Sequence, residues 1–139
     1  MTVLGILLAL AIPNFEGLWS SYVKSNAFRE LQADVRRMRA ETLMAGTRGV
    51  MTIDLDGSGY AFGFDELPYA SPPAIDRTVF RTKLPNQIAL SSSQDLYFDS
   101  KGLVIDSSGS VTSLNMDLDF RGNTYASATI YATGAFDLN

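Results

Sequence analysis

The sequence VLGILLALAIPNF, at residues 3–15, decides how this chain is organised. It contains most of a run of small and apolar residues that extends from Thr2 to Ile12 and is followed by Pro13. A helix that spans a bilayer needs roughly 20 apolar residues, so the run has about half of that length. A helix that is apolar on every side needs lipid or other helices around it. The run therefore predicts a segment that contacts a membrane or neighbouring helices.

The residues after Asn14 continue the helix in amphipathic form, because apolar or small residues recur at steps of three and four. Gly46 follows the last periodic residue, and glycine is common where a helix closes in a left-handed conformation. We therefore predict one helix of roughly 40 residues, with an apolar half at 2–12 and an amphipathic half at 14–45. Pro13 removes a backbone donor and predicts a kink. The periodic positions are Phe28, Leu31, Val35, Met38, Thr42 and Ala45.

After Gly49 the pattern changes to the period of two that is typical of strands. The turn sequence Asp56-Gly57 separates two such runs and predicts a hairpin. The fold class is therefore α+β, a long kinked N-terminal helix packed on an antiparallel β-sheet domain. We divide the chain into the helix at 1–46 and the β domain at 47–139, which form one structural unit. Predicted strands lie at 50–55, 60–64, 78–82, 87–90, 96–98, 103–105, 111–120 and 125–133.

The composition excludes several kinds of chemistry. The 139 residues include no cysteine and no histidine, so thiolate catalysis, disulfides and Ser-His-Asp catalysis are absent. The net charge of −4 gives no general attraction to nucleic acid. We therefore predict a protein that is not an enzyme and that holds no cofactor and no metal.

Three stretches resemble one family. The sequence GILLALAIPNF, at residues 5–15, closely matches the later half of the N-terminal segment of type IV pilins and type II secretion pseudopilins. The sequences LQADVRRMRAET (31–42) and LYFDSKG (96–102) are similar to the H-type minor pseudopilins (GspH) and to the DNA-uptake minor pilins called FimT. In that family a basic leader, a phenylalanine and a glutamate come before the matched segment. None of them precedes Thr2 here, so we expect an N-terminally truncated sequence.

The resemblance implies a structural subunit of a type IV pilus or type II secretion pseudopilus. The helix would cross the bacterial inner membrane once, with the β domain in the periplasm, and would then pack against other pilin or pseudopilin subunits. The small residues among those below allow helices to approach closely. The residues expected in membrane and assembly contacts are Val3, Leu4, Gly5, Ile6, Leu7, Leu8, Ala9, Leu10, Ala11, Ile12 and Pro13.

Two alternatives remain open from the sequence. A DNA-binding minor pilin would use the candidate contacts Arg36, Arg37, Arg39 and Arg48. Acidic residues interleave with these arginines and favour local pairing. DNA-binding FimT proteins have a basic motif near the C-terminus, and the matching place here is GAFD at 134–137, which carries no positive charge. Nucleic acid is therefore not the favoured partner. The second alternative is a secreted soluble domain, since an apolar run of this length also fits a signal-peptide core.

The remaining polar motifs have structural interpretations. The loop at 65–76 contains Tyr69, Pro72 and Pro73, which suit either a partner contact or a plain connection. The sequence DLDGSG at 54–59 begins like a calcium loop, but a hairpin turn explains it better. Asp117 and Asp119 alternate with apolar residues, which places them on the solvent side of a strand.

Overall fold

A computed structural model describes the backbone of residues 2–138 and the side chains of residues 15–138. Helix α1 occupies Thr2–Ala45, 44 residues in all. It ends at Gly46, whose φ of 64° is left-handed and whose N–H donates to the carbonyl of Thr42 at 3.0 Å. The backbone is helical through Pro13. The side chains of residues 3–13, on which the predicted membrane and assembly contacts depend, lie outside the described residues.

The rest of the described chain forms two antiparallel sheets, which confirms the α+β class. The first sheet has the order β3-β2-β1-β5-β6 and the second has the order β4-β7-β8-β9. The strands are β1 (Arg48–Ile53), β2 (Gly59–Asp65), β3 (Arg77–Lys83), β4 (Ile88–Ser92), β5 (Leu96–Phe98), β6 (Val104–Ile105), β7 (Leu114–Phe120), β8 (Asn123–Ile130) and β9 (Phe136–Leu138).

The strand pattern differs from the sequence prediction near the C-terminus. Strand β8 ends at Ile130 rather than at residue 133, because a turn follows in which the N–H of Gly134 donates to the carbonyl of Tyr131. This turn returns the chain to pair β9 with β8, and β9 was missed because three residues show no clear alternation. Residues 111–113 lie before β7 rather than inside it.

One core joins α1 to both sheets. The helix contributes Ala27, Leu31, Val35 and Met38, each with no exposed surface. They pack with buried residues of both sheets, such as Phe62 of the first sheet. Full burial of a large apolar side chain stabilises a fold by roughly 1.5–3 kcal/mol. The amphipathic half of α1 is therefore held by its apolar face.

A smaller cluster lies apart from this core. Val50, Tyr97 and Ile105 come from three neighbouring strands of the first sheet. Ile75, from the loop between β2 and β3, packs against them. That loop therefore covers apolar surface of the sheet.

Helix α1 and strand β1 lie in close contact at Gly49. A Cβ atom at this position would overlap the Oγ1 atom of Thr42 and would lie 3.1 Å from the Cε2 atom of Phe62. Thr42 is fully buried, and its hydroxyl donates to the carbonyl of Met38 at 2.8 Å. Any side chain at Gly49 would therefore push the end of the helix away from the sheet.

We predict that Gly49→Ala lowers the free energy of unfolding by about 1–3 kcal/mol, the usual cost of overpacking a core. Thr42→Ala in the same protein removes the overlapping hydroxyl and restores part of the loss. Gly17→Ala is the matched control, because Gly17 has open space around it and alanine favours a helix. Urea unfolding followed by circular dichroism measures the wild type, Gly49→Ala, Thr42→Ala, the double variant and Gly17→Ala. Strictly additive effects of the Gly49 and Thr42 changes would contradict the contact.

Candidate assembly surface

Residues 15–22 of α1 expose a stripe of large apolar side chains. Phe15, Leu18, Trp19 and Tyr22 are 74%, 71%, 63% and 64% exposed. Their spacing of i, i+3, i+4 and i+7 places them on one side of the helix. The rings of Trp19 and Tyr22 lie 6.1 Å apart between centroids. We call these four residues the apolar stripe.

The apolar stripe lies before the part of the helix that packs on the sheets. Val23 is the first described helix residue that packs against the core, and Ala27 is the first that is fully buried. An exposed apolar surface of this kind marks an interaction site in soluble proteins. The sequence prediction did not single out these residues, although their helical spacing was visible in it.

A groove of about 870 Å³ opens beside the apolar stripe. Phe15, Trp19 and Val23 form its helix side. The segment between β3 and β4 contributes Pro85, and the end of β7 contributes Phe120. The groove is therefore the gap between the helix at residues 15–23 and the edge of the β domain formed by residues 85–87 and 120–121. We call it the basal groove.

The basal groove has a polar rim built by two residues with positive φ. Gln87 has φ of 78° and Arg121 has φ of 52°. The backbone N–H of Arg121 donates to the carbonyl oxygen of Gln87, and its Nε–H donates to Oε1 of the same residue, both at 2.9 Å. These bonds join the segment between β3 and β4 to the turn between β7 and β8, and they hold the Arg121 guanidinium at the rim.

A second cation lies close to this rim. The Nζ atom of Lys24 is 4.6 Å from the ring centroid of Phe120 and 5.4 Å from that of Tyr125. The Tyr125 hydroxyl donates to the carbonyl of Lys24 at 3.3 Å. Burial raises the pKa of the Tyr125 phenol to about 12, so this hydroxyl remains a donor at neutral pH.

Closer to the C-terminal end of the helix, Asp34 fixes α1 to the first sheet. Its Oδ2 atom accepts hydrogen bonds from the hydroxyls of Tyr60 and Thr82, both at 2.8 Å. Burial, and then the hydrogen bond to Asp34, raise the pKa of the Tyr60 phenol well above its ordinary value. These bonds set the position of the helix against β2 and β3, and with it the direction of the apolar stripe.

Arg39 makes a related connection near the upper end of the helix. Its Nε–H donates to the carbonyl of Gly102 at 3.1 Å. Its aliphatic stem also lies so close to Gly134 that a Cβ there would stand 2.6 Å from Cδ of Arg39. One side chain thus contacts the turn between β5 and β6 and the turn between β8 and β9.

The four candidate DNA contacts do not form one surface. Arg37 stacks over Phe80 with 4.4 Å between its Cζ atom and the ring centroid, and it pairs with Glu41 at 3.7 Å. At 100° per residue, Arg37 and Arg39 lie on opposite flanks of the packed helix face. Arg48 lies beyond the helix on β1, and Arg36 is exposed on α1. Such a distribution does not favour phosphate binding, which needs concentrated positive charge.

The loop at 65–76 is tied to the first sheet by a buried carboxylate. Asp65 has no exposed surface and accepts from the N–H of Ala70 at 3.0 Å and from Nη1 of Arg48 at 3.2 Å. The Arg48 guanidinium stacks over the ring of Tyr69 at 4.5 Å. Pro73 is buried and Pro72 is exposed. The loop therefore contributes to the fold, while Tyr69 and Pro72 keep surface that a partner could contact.

The acidic motifs serve turns and strand pairing. The N–H of Gly57 donates to the carbonyl of Asp54 at 2.8 Å, which closes the hairpin between β1 and β2. Asp117 accepts from the Ser127 hydroxyl at 2.6 Å, and Asp119 accepts from the Thr124 hydroxyl at 2.7 Å. Among the described residues, no group of three or more acidic side chains could hold a metal ion.

The long helix laid on antiparallel strands is the fold of minor pilins and pseudopilins. The type IV minor pilin FimU of Pseudomonas aeruginosa matches with a TM-score of 0.64 and 15% identity, over 83% of this chain and 87% of that chain. The minor pseudopilin EpsH from the Type 2 Secretion System of Vibrio cholerae matches with a TM-score of 0.58 and 16% identity, over 84% and 95%. These likenesses confirm the pilin-like fold.

No protein-family model matches the chain, and no curated protein sequence matches it. Within the part that the structure describes, no helix is both long enough and apolar enough to cross a membrane.

We predict that Tyr60→Phe weakens the pH dependence of stability in alkaline solution. Because the folded-state pKa of this phenol is raised, the folded protein keeps a proton that the unfolded chain releases above about pH 10. The free energy of unfolding therefore falls as pH rises above 10, by up to about 1.4 kcal/mol per pH unit for one proton. The variant loses this contribution to the slope and is also less stable at pH 7, by about 0.5–1.5 kcal/mol for one hydrogen bond.

Denaturant unfolding between pH 7 and pH 12 measures this slope. Thr82→Val is the matched control, since it removes the other donor to Asp34 and keeps the Tyr60 phenol. Equal slopes for the wild type and Tyr60→Phe would show that the phenol does not hold its proton in the folded state.

Proposed function

We propose that this protein is a minor pilin or pseudopilin, a structural subunit that assembles through α1 into a type IV pilus or a type II secretion pseudopilus. The observation that carries the proposal is the length of helix beyond the packed core. Residues 2–22 of α1 precede Val23, the first described helix residue in core contact, and span roughly 30 Å at 1.5 Å per residue. The fold shared with FimU and EpsH supports the same conclusion.

The sequence of this projecting segment suits helix packing. The run at 2–12 is small or apolar throughout, and the apolar stripe extends it to Tyr22. In the subunit before assembly, the run lies in the inner membrane and the β domain lies in the periplasm. In the filament, the helices of other pilin or pseudopilin subunits replace the lipid contacts. Because lipid is already apolar, close packing drives this exchange more than the hydrophobic effect does.

The function proposed is therefore assembly rather than catalysis. The polar side chains described above have structural partners: Asp34 joins the helix to the first sheet, Asp65 anchors a loop and Asp117 pairs two strands. The apolar stripe on the helix is the first surface that remains for partners. The exposed side of the loop at 65–76, with Tyr69 and Pro72, is a second contact that sister subunits could use.

We predict that Ala9→Leu reduces incorporation into filaments severalfold and leaves the stability of the β domain unchanged. A small residue allows neighbouring helices to approach closely, and leucine keeps them apart. Gly5→Leu has the same expected effect. The measurement is the share of the full-length protein recovered in the sheared filament fraction, relative to the membrane fraction.

Ala40→Leu is the matched control, because Ala40 is an exposed helix residue next to the packed β domain. It should assemble as the wild type does. Recovery of Ala9→Leu in filaments at the wild-type level, with equal thermal stability of all variants, would contradict the proposed packing.

A further inference from the structure

We propose that, before assembly, the basal groove and the apolar stripe rest on the phospholipid surface of the membrane, with Arg121 and Lys24 directed at lipid phosphates. This inference rests on the proposed function, since it requires α1 to enter a bilayer. It adds a second lipid contact, made by the β domain itself, which fixes the orientation of the domain above the membrane.

Distances along α1 place one end of the groove, at Phe15, at the height of the lipid headgroups. Ile12 is the last residue of the apolar run, and Trp19 follows it by roughly 10 Å at 1.5 Å per residue. The headgroup layer on each side of a bilayer is roughly 5–8 Å thick. With Ile12 at the hydrocarbon boundary and the helix upright, Phe15 therefore lies within the headgroup layer and Trp19 lies a few ångströms outside it. Any tilt of the helix toward the groove brings the β domain closer to the lipid.

The exposed side chains of the apolar stripe are of the kinds that favour a membrane interface. Trp19 and Tyr22 combine an apolar ring with a polar group, and both residue types are enriched at the boundary between lipid and water. Phe15 and Leu18 add apolar surface on the same side of the helix. The apolar stripe thus continues the apolar run in chemistry as well as in position.

The charges around the groove complement phosphate groups. Arg121 lines the groove, and its Cζ atom lies 5.2 Å from the ring centroid of Phe120, beside which Lys24 also lies. The lining includes one carboxylate, Glu16, on the helix side. Arginine and lysine near a lipid surface are attracted to anionic lipids. Two cations therefore lie beside the groove, although the chain as a whole has a net charge of −4.

The backbone conformation at Arg121 suggests a variant that removes the positive charge without weakening the turn. Strands β7 and β8 are joined by the two-residue connection Arg121-Gly122, and both residues have positive φ, 52° and 79°. Such a turn favours asparagine followed by glycine, so arginine is a costly first residue. Arg121→Asn removes the cation and suits the turn better. A loss of lipid contact in this variant cannot be attributed to a weaker fold, provided that its thermal stability equals or exceeds that of the wild type.

The experiment uses Trp19, the sole tryptophan of the chain, as an intrinsic probe. The full-length protein is reconstituted into vesicles of phosphatidylcholine and phosphatidylglycerol that contain lipids brominated at defined depths. We expect Trp19 emission to shift to shorter wavelength, with the strongest quenching by the shallowest bromines. Arg121→Asn should reduce this quenching at least twofold. Lys101→Gln removes the same unit charge from an exposed residue near the upper end of α1 and should leave the quenching unchanged.

Each other outcome overturns the inference in a distinguishable way. If the protein floats with vesicles while Trp19 stays accessible to aqueous iodide, the domain does not touch the lipid, although insertion of α1 stands. If the protein does not float with vesicles at all, the membrane step of the proposed function fails as well. If Trp19 is shielded without lipid, in proportion to protein concentration, then a second copy occupies the groove instead.

Discussion

The packing of a single helix against two sheets is the constraint on which the rest of this structure depends. Leu31, Val35 and Met38 form one continuous core with residues of both sheets. The helix therefore covers apolar side chains of both sheets at once. The half-buried carboxylate of Asp34 then sets the position of the helix, since it accepts hydrogen bonds from β2 and β3. Because the helix is fixed in this way, the direction of its free end is fixed as well.

The free end of the helix and the base of the β domain act as one surface. The apolar stripe is continuous with the apolar run in sequence, and the basal groove connects it to Arg121. In an assembled filament the same surface would face other helices, whereas before assembly it would face lipid. Both environments are apolar with polar groups at one edge, which explains why one set of residues can suit both.

The local features of the fold could be predicted from the sequence. The spacing from Phe28 to Thr42 predicted the packed face of α1, and Gly46 marked the end of the helix. Ala45, the last residue of the predicted stripe, is exposed instead. Asp56-Gly57 lies in the turn that joins β1 to β2. These features depend on residues within a few positions of one another, so sequence periodicity and turn chemistry reveal them.

The candidate site could be predicted only in part. The apolar stripe has helical spacing, which the sequence alone shows. The groove beside it also requires Phe120 and Arg121, which are about 100 residues away in sequence. The separation of the strands into two sheets and the burial of Asp65 also depend on distant contacts. For the same reason, Arg37, Arg39 and Arg48 are close in sequence but contact different parts of the fold.

The contacts of Arg39 have a mechanical consequence. This side chain contacts the turn at Gly102 in the first sheet and the turn at Gly134 in the second. Asp34 holds the helix to the first sheet at a lower level. A force along the axis of α1 would therefore act on these hydrogen bonds and on the whole buried face of the helix in shear, all at the same time. The contacts would not break one after another. A domain of this construction can transmit tension along its helix without separating its two sheets.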